Sequence, residues 1–262
     1  MSKNNDRYTI QVLQKALRIL DLIQEARRPL SLEDISDRAQ MPKSTTFRII
    51  TNLLNNNYLT ELPEGYWLGL KLLSLGIVVE EHIDIRKIAE PMLMTLRDQT
   101  GETVYLAALM QDLRVLYLSR AASTQPIAVT LKNAGMTIDA HCSALGKSLL
   151  AYQPDTIIEN WLSHASLEPY TPNTLTSPAA LRQELQAIRA QGYAVDDEEN
   201  QITICCIAAP IFDAHGQITA AVSVAGPKQR MPHPLIGSDM AHLIVDTARQ
   251  ISFQIGMPLP VE

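Results

Sequence analysis

The sequence predicts a mixed α/β protein with a small helical N-terminal domain and a larger C-terminal domain built around an antiparallel sheet. In the first 70 residues, apolar side chains recur at spacings of three and four, the helical period, until a turn at Pro63–Gly65. Beyond residue 84, β-rich runs alternate with helical ones, and no extended glycine-rich phosphate loop interrupts them.

Two short-range signals place the first two helices. Helix one is predicted from Gln11 to Ala26. Its apolar stripe is Leu13, Ala16, Leu17, Leu20 and Ile23. Helix two, from Leu32 to Ala39, is predicted to begin at Ser31, because Ser31 and Asp34 have the spacing of a capping box with Asp in place of Glu.

A third helix and a hairpin complete the N-terminal domain. The helix is predicted from Lys43 to Asn56, after a break that ends at Pro42. Its core-facing residues are predicted to be Phe47, Ile50, Leu53 and Leu54. The hairpin pairs Tyr58–Thr60 with Tyr66–Leu68, and a further helix over Gly69–Ile83 is predicted to link the two domains.

The C-terminal elements follow from the same patterns. Helices are predicted over Ile85–Thr100, Ser143–Tyr152 and Ala179–Gln191, and from His233 onward. Strands are predicted over Val104–Met110, Val115–Ser119, Ile127–Leu131, Ile204–Phe212 and Ile218–Ala225. A hairpin turn at Asp213–Gly216 joins the last two strands.

Composition excludes several classes of protein. No apolar run approaches the 18 or more residues that a membrane span needs, and the start, Met1 to Thr9, carries no signal-peptide pattern. Three cysteines are too few for a disulfide framework, which is typical of a reducing compartment. We therefore expect a cytoplasmic protein that has no membrane partner and no cofactor.

Charge is distributed unevenly along the chain. The formal net charge is −6. Residues 1–60, however, hold 9 Lys and Arg against 6 Asp and Glu, and so carry +3, while the remainder carries −9. Because a nucleic-acid footprint is a local property, the overall acidity does not exclude DNA binding. The excess of three is too small to predict DNA binding by itself.

Three short helices and a hairpin form a winged helix-turn-helix, in which the second helix of the motif enters the major groove of DNA. Here that helix starts at Lys43. The residues predicted to contact DNA are Lys43, Ser44, Thr45, Thr46, Arg48 and Asn52, with Tyr66 in the wing and Lys3 or Arg7 in the N-terminal arm. Hydroxyls at a helix start favour phosphate, and Arg can form a fork onto guanine. The same Ser and Thr residues could instead act only as helix caps.

The N-terminal motifs resemble those of a known family. Val12–Asp21 is similar to the opening helix of the IclR family of bacterial regulators. Met41–Arg48, with its Lys-Ser-Thr run followed by Arg, resembles the recognition helix of that family. Tyr66–Gly69 resembles the end of the wing before the linker helix.

Two C-terminal segments resemble the same family, His141–Ser148 and Gly192–Pro210, together with Ala220–Val224. The resemblance implies a GAF-like effector domain that binds a small organic acid, such as a sugar acid or an aromatic acid, and a homodimer or homotetramer on DNA. The implied effector contacts are the backbone of Ala144 and Leu145 and the side chains of Asp196, Cys206 and Ser223. Independently, the free amides at a helix start near Ser143 favour a carboxylate.

Two positions depart from the family pattern. Ala225 stands where a second pocket serine is expected, and Gln201–Ile204 lacks the usual glycine. The first change removes a hydroxyl and makes the pocket more apolar, so the effector is expected to differ from the smallest keto acids.

The sequence thus predicts a ligand-responsive DNA-binding regulator, a repressor of a catabolic operon, and not an enzyme. Its domains are a winged helix-turn-helix (1–70), a linker helix (71–84) and an effector domain (85–262). Two alternatives stay open at this point. One is a small-molecule sensor that acts through a protein partner. The other is a thiol or zinc enzyme that uses His141, Cys142, Cys205 and Cys206 with Asp196 and Asp197, although adjacent pairs lack the ligand spacing of zinc sites and no metal site is expected.

Overall fold

The computed structural model describes residues 10–82, 84–126 and 128–257. The chain divides into two compact units, Met1–Ile83 and Asp84–Glu262. The helices are α1 (Gln11–Ala26), α2 (Leu32–Arg38), α3 (Lys43–Asn55), α4 (Leu70–His82), α5 (Asp84–Thr100), α6 (Ala144–Ala151), α7 (Asp155–Leu162), α8 (Pro178–Gln191) and α9 (Asp239–Gln254). The strands are β1 (Leu59–Leu62), β2 (Gly65–Leu68), β3 (Thr103–Leu109), β4 (Arg114–Ala121), β5 (Thr137–Asp139), β6 (Ala194–Asp197), β7 (Ile204–Phe212) and β8 (Ile218–Pro227).

The N-terminal unit packs three helices against a two-stranded antiparallel hairpin, β1–β2. The capping box predicted at the start of α2 is confirmed, since Ser31 and Asp34 each accept the other's backbone N–H. The core is formed by Ile19, Leu22, Ile23, Leu30, Ile35, Ile49, Ile50 and Leu59. Lys3, Arg7 and Ile83, named above, lie outside the described residues.

Three apolar residues predicted for this core are exposed instead. Leu13 and Leu17 of α1 lie at the surface, because the small core reaches only the second half of that helix. Phe47 is also exposed, since the buried face of α3 is formed by Thr46, Ile49 and Ile50. The predicted stripe on α3 is therefore rotated from the observed one.

The C-terminal unit is built on a six-stranded sheet with the order β5-β4-β3-β8-β7-β6, in which every neighbouring pair is antiparallel. Side chains alternate between the faces of such a sheet. One face packs with α6, α7 and α8 in one core, and the other packs with α5 and α9 in a second core. The predicted mixed α/β fold with an antiparallel sheet is confirmed.

Some elements of this unit differ from the prediction. Residues 128–131 form no strand, and the edge strand is the shorter β5; Ile127 itself lies outside the described residues. The last helix starts at Asp239, not at His233, because Pro232 and Pro234 disfavour helical geometry before them and Ser238 caps the helix. Helix α7 has no counterpart in the prediction. Among the described helices, none has the length and apolar character to cross a membrane.

Candidate DNA-binding surface and effector pocket

The start of α3 carries amides that no side chain caps. Pro42 precedes the helix and offers no capping side chain, and its carbonyl accepts the amides of Thr45 and Thr46. The first two amides, those of Lys43 and Ser44, are the ones that an α-helix leaves for a ligand or water. The positive end of the helix dipole adds to their attraction for a phosphate.

The predicted DNA contacts of α3 do not all reach the surface. Ser44 is exposed and Thr45 is half-buried. Thr46 is fully buried, and its hydroxyl donates to the carbonyl oxygen of Pro42 at 3.2 Å. The prediction for Thr46 is therefore corrected: it anchors the first turn of the helix to the core and cannot contact DNA.

Lys43 is paired within its own unit. Its Nζ lies 2.6 Å from Oε1 of Glu33 in α2, and more than half of each side chain is exposed. The hydrogen bond from Lys43 to Glu33, together with their charge attraction, raises the pKa of the lysine. A phosphate would therefore have to compete with Glu33 for this ammonium group.

One turn further along α3, Arg48 and Asn52 are both exposed. The amide Nδ2 of Asn52 donates to the carbonyl oxygen of Arg48 at 2.8 Å, which leaves the Asn52 side-chain oxygen free to accept. These side chains lie on the exposed face of a helix whose other face is in the core, as base or phosphate contacts require.

The wing is fixed to the rest of the N-terminal unit by its backbone. Tyr66 exchanges two backbone hydrogen bonds with Leu30, at 2.8 and 3.1 Å. Its ring is half-buried against the core, and this burial raises the pKa of its hydroxyl. Gly65 has φ +131°, and a Cβ there would stand 2.5 Å from the Leu30 carbonyl oxygen, so only glycine fits.

The five predicted effector residues come together in the C-terminal unit. All of them line one cavity between the sheet and the start of α6. The full lining is Tyr117, Leu131, Ile138, Ser143, Ala144, Leu145, Asp196, Asn200, Cys206 and Ser223. The sequence did not single out Tyr117, Leu131, Ile138 or Asn200, because nothing local distinguishes their side chains from ordinary strand and loop residues.

Strand register explains how distant residues meet here. Asp196 in β6 lies directly opposite Cys206 in β7, and Cys206 lies opposite Ala225 in β8. Ser223 stands two residues before Ala225, so it points to the same face. Ala225, where the resemblance predicted a second pocket serine, therefore lies beside Cys206 but is not among the residues that line the cavity.

The start of α6 forms the opposite wall. Ser143 caps the helix by accepting the amide of Gly146 at 3.1 Å. Ala144 and Leu145, which come first in the helix, keep the amides that a ligand or water would bind. Gly146 lets the start of α6 pack closely on the backbone of Ala140, because a Cβ there would stand 2.2 Å from the Ala140 carbonyl oxygen.

The cavity is nearly closed. Its free volume is about 10 Å³, enough for roughly one water-sized sphere. Leu131 contributes to the wall from the irregular stretch between β4 and β5, and its amide donates to the hydroxyl of Tyr105 at 2.8 Å. An organic acid would therefore have to displace side chains in order to enter.

Charged groups beside the cavity are buried. Lys147 of α6 is almost fully buried and binds Oε1 of Glu199 at 2.5 Å and Oε1 of Glu184 at 3.1 Å. Asp196 is also buried, and its Oδ1 accepts the amides of Glu199 at 2.7 Å and Asn200 at 3.4 Å. Lys147 therefore pairs with acidic side chains of its own unit.

The cysteines do not form a reactive site. Burial raises the pKa values of Cys142 and Cys205 to about 12, and raises that of Cys206 well above the ordinary value. Because the thiolate is the nucleophile, these thiols are inert near neutral pH. Cys205 and Cys206 belong to opposite faces of the sheet. Within the described ranges, no three His, Cys, Asp or Glu side chains are placed to hold a metal ion.

Comparisons with known proteins cover both units. Residues 12–63 match the IclR helix-turn-helix domain, and residues 78–253 match the C-terminal domain of bacterial IclR transcriptional regulators. The chain is 36% identical over 246 residues to the regulator BhcR of Paracoccus denitrificans, covering 93% of this chain and 87% of that protein. It is 28% identical to the transcriptional repressor IclR of Escherichia coli, covering 94% and 90%.

A solved structure adds a ligand complex. An IclR homologue of Microbacterium hydrocarbonoxydans, complexed with 4-hydroxybenzoate, superposes with a TM-score of 0.79 at 26% identity. The match covers 93% of this chain and 98% of that one.

Proposed function

The chain belongs to the IclR family, and so is a ligand-responsive DNA-binding transcriptional regulator and not an enzyme; on that premise, we propose that it represses a catabolic operon under the control of a small carboxylate. The observation that carries the proposal is that five effector residues predicted from separate segments line a single cavity.

Operator DNA is bound in this proposal by the exposed face of α3. Ser44, Thr45 and the ammonium of Lys43 take phosphates, while Arg48 and Asn52 face the base edges. Tyr66 adds a backbone contact from the wing. The uncapped start of α3 and the exposure of Arg48 and Asn52 support this assignment. Because operator DNA lies in the bacterial cytoplasm, we place the protein there.

The effector carboxylate is held in this proposal by the amides of Ala144 and Leu145. Asp196, Cys206 and Ser223 contact the rest of the molecule from the sheet. The apolar and aromatic side chains of Tyr117, Leu131 and Ile138 in the lining favour an aromatic acid over a sugar acid. The 4-hydroxybenzoate complex of the Microbacterium homologue supports the aromatic class.

Exposed apolar side chains on two helices of the N-terminal unit support a homodimer or homotetramer. Leu70, Leu73 and Ile77 of α4 are exposed, and so are Leu13 and Leu17 of α1. Exposed apolar patches of this kind mark association sites, and two copies would present two recognition helices to a palindromic operator. We therefore assign residues 1–70 to DNA, the stretch 71–84, which holds most of α4, to linkage and association, and 85–262 to the effector.

A thermal-shift screen tests the pocket. The full chain is heated with 4-hydroxybenzoate, benzoate, gluconate and galacturonate in turn. An acid at about 100 times its Kd should raise the Tm by several degrees, since such saturation adds about 2.7 kcal/mol to the stability. The double variant Ser223→Ala, Asp196→Ala should lose the shift, and the control Ser163→Ala, Asp197→Ala should keep it. No shift with any acid, or an equal shift in both double variants, rejects the pocket.

A further inference from the structure

A buried cluster beside the effector cavity holds more acidic groups than basic ones. Lys147 supplies one ammonium, which is bound to two carboxyl groups, that of Glu199, 10% exposed, and that of Glu184, 28% exposed at the edge of the cluster. Asp196 adds a third carboxyl group, whose residue is 1% exposed. Its Oδ1 accepts two backbone amides, which leaves Oδ2 as the oxygen that can carry a proton.

The surroundings of Asp196 offer it no cation of its own. The titratable groups that face it from the packed elements are Glu199 of the following turn, Lys147 of α6, Cys206 of β7, Tyr117 of β4 and Cys142 before α6, with Cys205 more distant on β7. Of these, Lys147 alone is a base, and it is already shared. Glu199 is itself incompletely satisfied, since its buried Oε2 has no hydrogen-bond partner among the described residues.

Burying an ionised carboxylate without a partner is expensive, and a site that holds several carboxyl groups retains a proton on one of them. Burial, followed by the charge of Glu199, raises the pKa of Asp196 to about 7, against the lowering effect of the two amides and Lys147. A raised pKa of Asp196 agrees with the excess of carboxyl groups over ammonium groups in the cluster.

An effector carboxylate seated on the start of α6 would bring another negative charge into the same cavity. We infer that Asp196 holds this effector as the neutral acid, with the proton on Oδ2 donated to an effector oxygen, so that above neutral pH each binding event takes one proton from solvent. The effector stays ionised and no covalent bond changes. This inference rests on the proposed effector function and adds a proton linkage to it.

Calorimetry with an acid that binds in the thermal screen tests the linkage. The titration is run on the full chain between pH 6 and pH 9, in two buffers of different ionisation enthalpy. The wild-type protein should take up about one proton per site at pH 8 to 9, and its Kd should rise about tenfold per pH unit above pH 7. Asp196→Asn, which keeps the shape but cannot ionise, should show neither effect. The control Asp197→Asn, next in sequence but exposed, should behave as the wild type.

Binding without proton uptake, or the same pH slope in Asp196→Asn, overturns the inference. If Asp196→Asn does not fold, the wild-type titration decides by itself, because proton uptake is measured from the buffer dependence of the binding enthalpy.

If no acid in the panel binds, the proposed effector function has failed, and a measurement on the ligand-free protein decides the protonation of Asp196. In that case an aspartate carboxyl ¹³C resonance that titrates near pH 7, present in Asp197→Asn, supports the neutral acid. Titration of all aspartate carboxyl groups near their ordinary pKa overturns it.

Discussion

The two units use charge in different ways. The N-terminal unit keeps its charged side chains at the surface, as in the Lys43–Glu33 pair, where both partners are more than half exposed. The C-terminal unit has exposed ion pairs as well, such as Arg182–Glu159, but it also buries one: the side chain of Lys147 is 1% exposed between Glu199 and Glu184. Exposed charges act at long range and are screened by salt, whereas buried ones are strong and costly to leave unpaired. The comparison indicates that one unit is organised for DNA and the other for a small molecule.

The largest expected effect follows from breaking the buried network. Lys147→Met leaves Glu199 unpaired inside the protein, and removing one partner of a buried pair costs about 3–5 kcal/mol. The free energy of unfolding is measured in urea by the fluorescence of Trp161, in a Trp67→Phe background that silences the N-terminal unit. Lys43→Met, the same change at the exposed pair, should leave this unfolding curve unchanged. Equal stability of the two variants would break the comparison between buried and exposed charge.

A change on the exposed face of α3 should lower the affinity for DNA without changing the free energy of unfolding. Arg48→Ala should weaken binding to DNA from the region upstream of the protein's own gene by roughly tenfold or more, because one forked contact is lost. The salt dependence of binding should also become less steep if Arg48 touches phosphate. Fluorescence anisotropy at two salt concentrations measures both. Arg18→Ala, at an exposed arginine of α1 that pairs with Glu25, serves as the control, and an equal loss in the two variants would remove Arg48 from the interface.

How closely the sequence predicted an element depends on whether local signals or tertiary packing determine it. The N-terminal elements depend on local signals, such as the Ser31–Asp34 capping box and the helix start after Pro42, so the sequence located them closely. The orientation of α3 depends on packing against α1 and the hairpin, which is why Phe47 and Thr46 were placed on the wrong sides. That Thr46 is buried and Phe47 exposed could be known only from the assembled core.

In the C-terminal unit, the family resemblance supplied the five candidate effector residues, and their meeting at one cavity depends on strand register. The network of Lys147 with Glu184 and Glu199 joins residues 37 and 52 positions apart, and no spacing rule connects them. The near closure of the cavity was also beyond prediction, because it depends on how side chains such as Leu131 and Tyr117 pack. The three-residue strand β5 and the short helix α7 were missed because such brief elements carry little periodicity.

The exposed pair of Lys43 with Glu33 should have only a small effect on DNA affinity. Glu33→Gln frees Lys43 from its carboxylate partner, so DNA no longer has to displace Glu33. The affinity for DNA should therefore rise roughly two- to threefold at low salt, and this gain should be smaller at high salt. Glu25→Gln, which removes an equal charge from the exposed pair with Arg18, is the matched control. The same gain in both variants would mean that net charge alone acts, with no special role for the pair at the start of α3.

In the proposed function, an effector in the C-terminal cavity controls whether α3 binds DNA. A DNA titration with and without effector measures this coupling. The full chain is titrated onto its own upstream DNA in the presence of the acid that gives the largest thermal shift. We expect this acid to weaken DNA binding by the wild-type chain at least about tenfold, a coupling within the usual range. The variant Ser223→Ala, Asp196→Ala should bind DNA as the wild type does and ignore the acid. DNA binding that the acid leaves unchanged in the wild type, or changes equally in the variant, would contradict the proposed coupling.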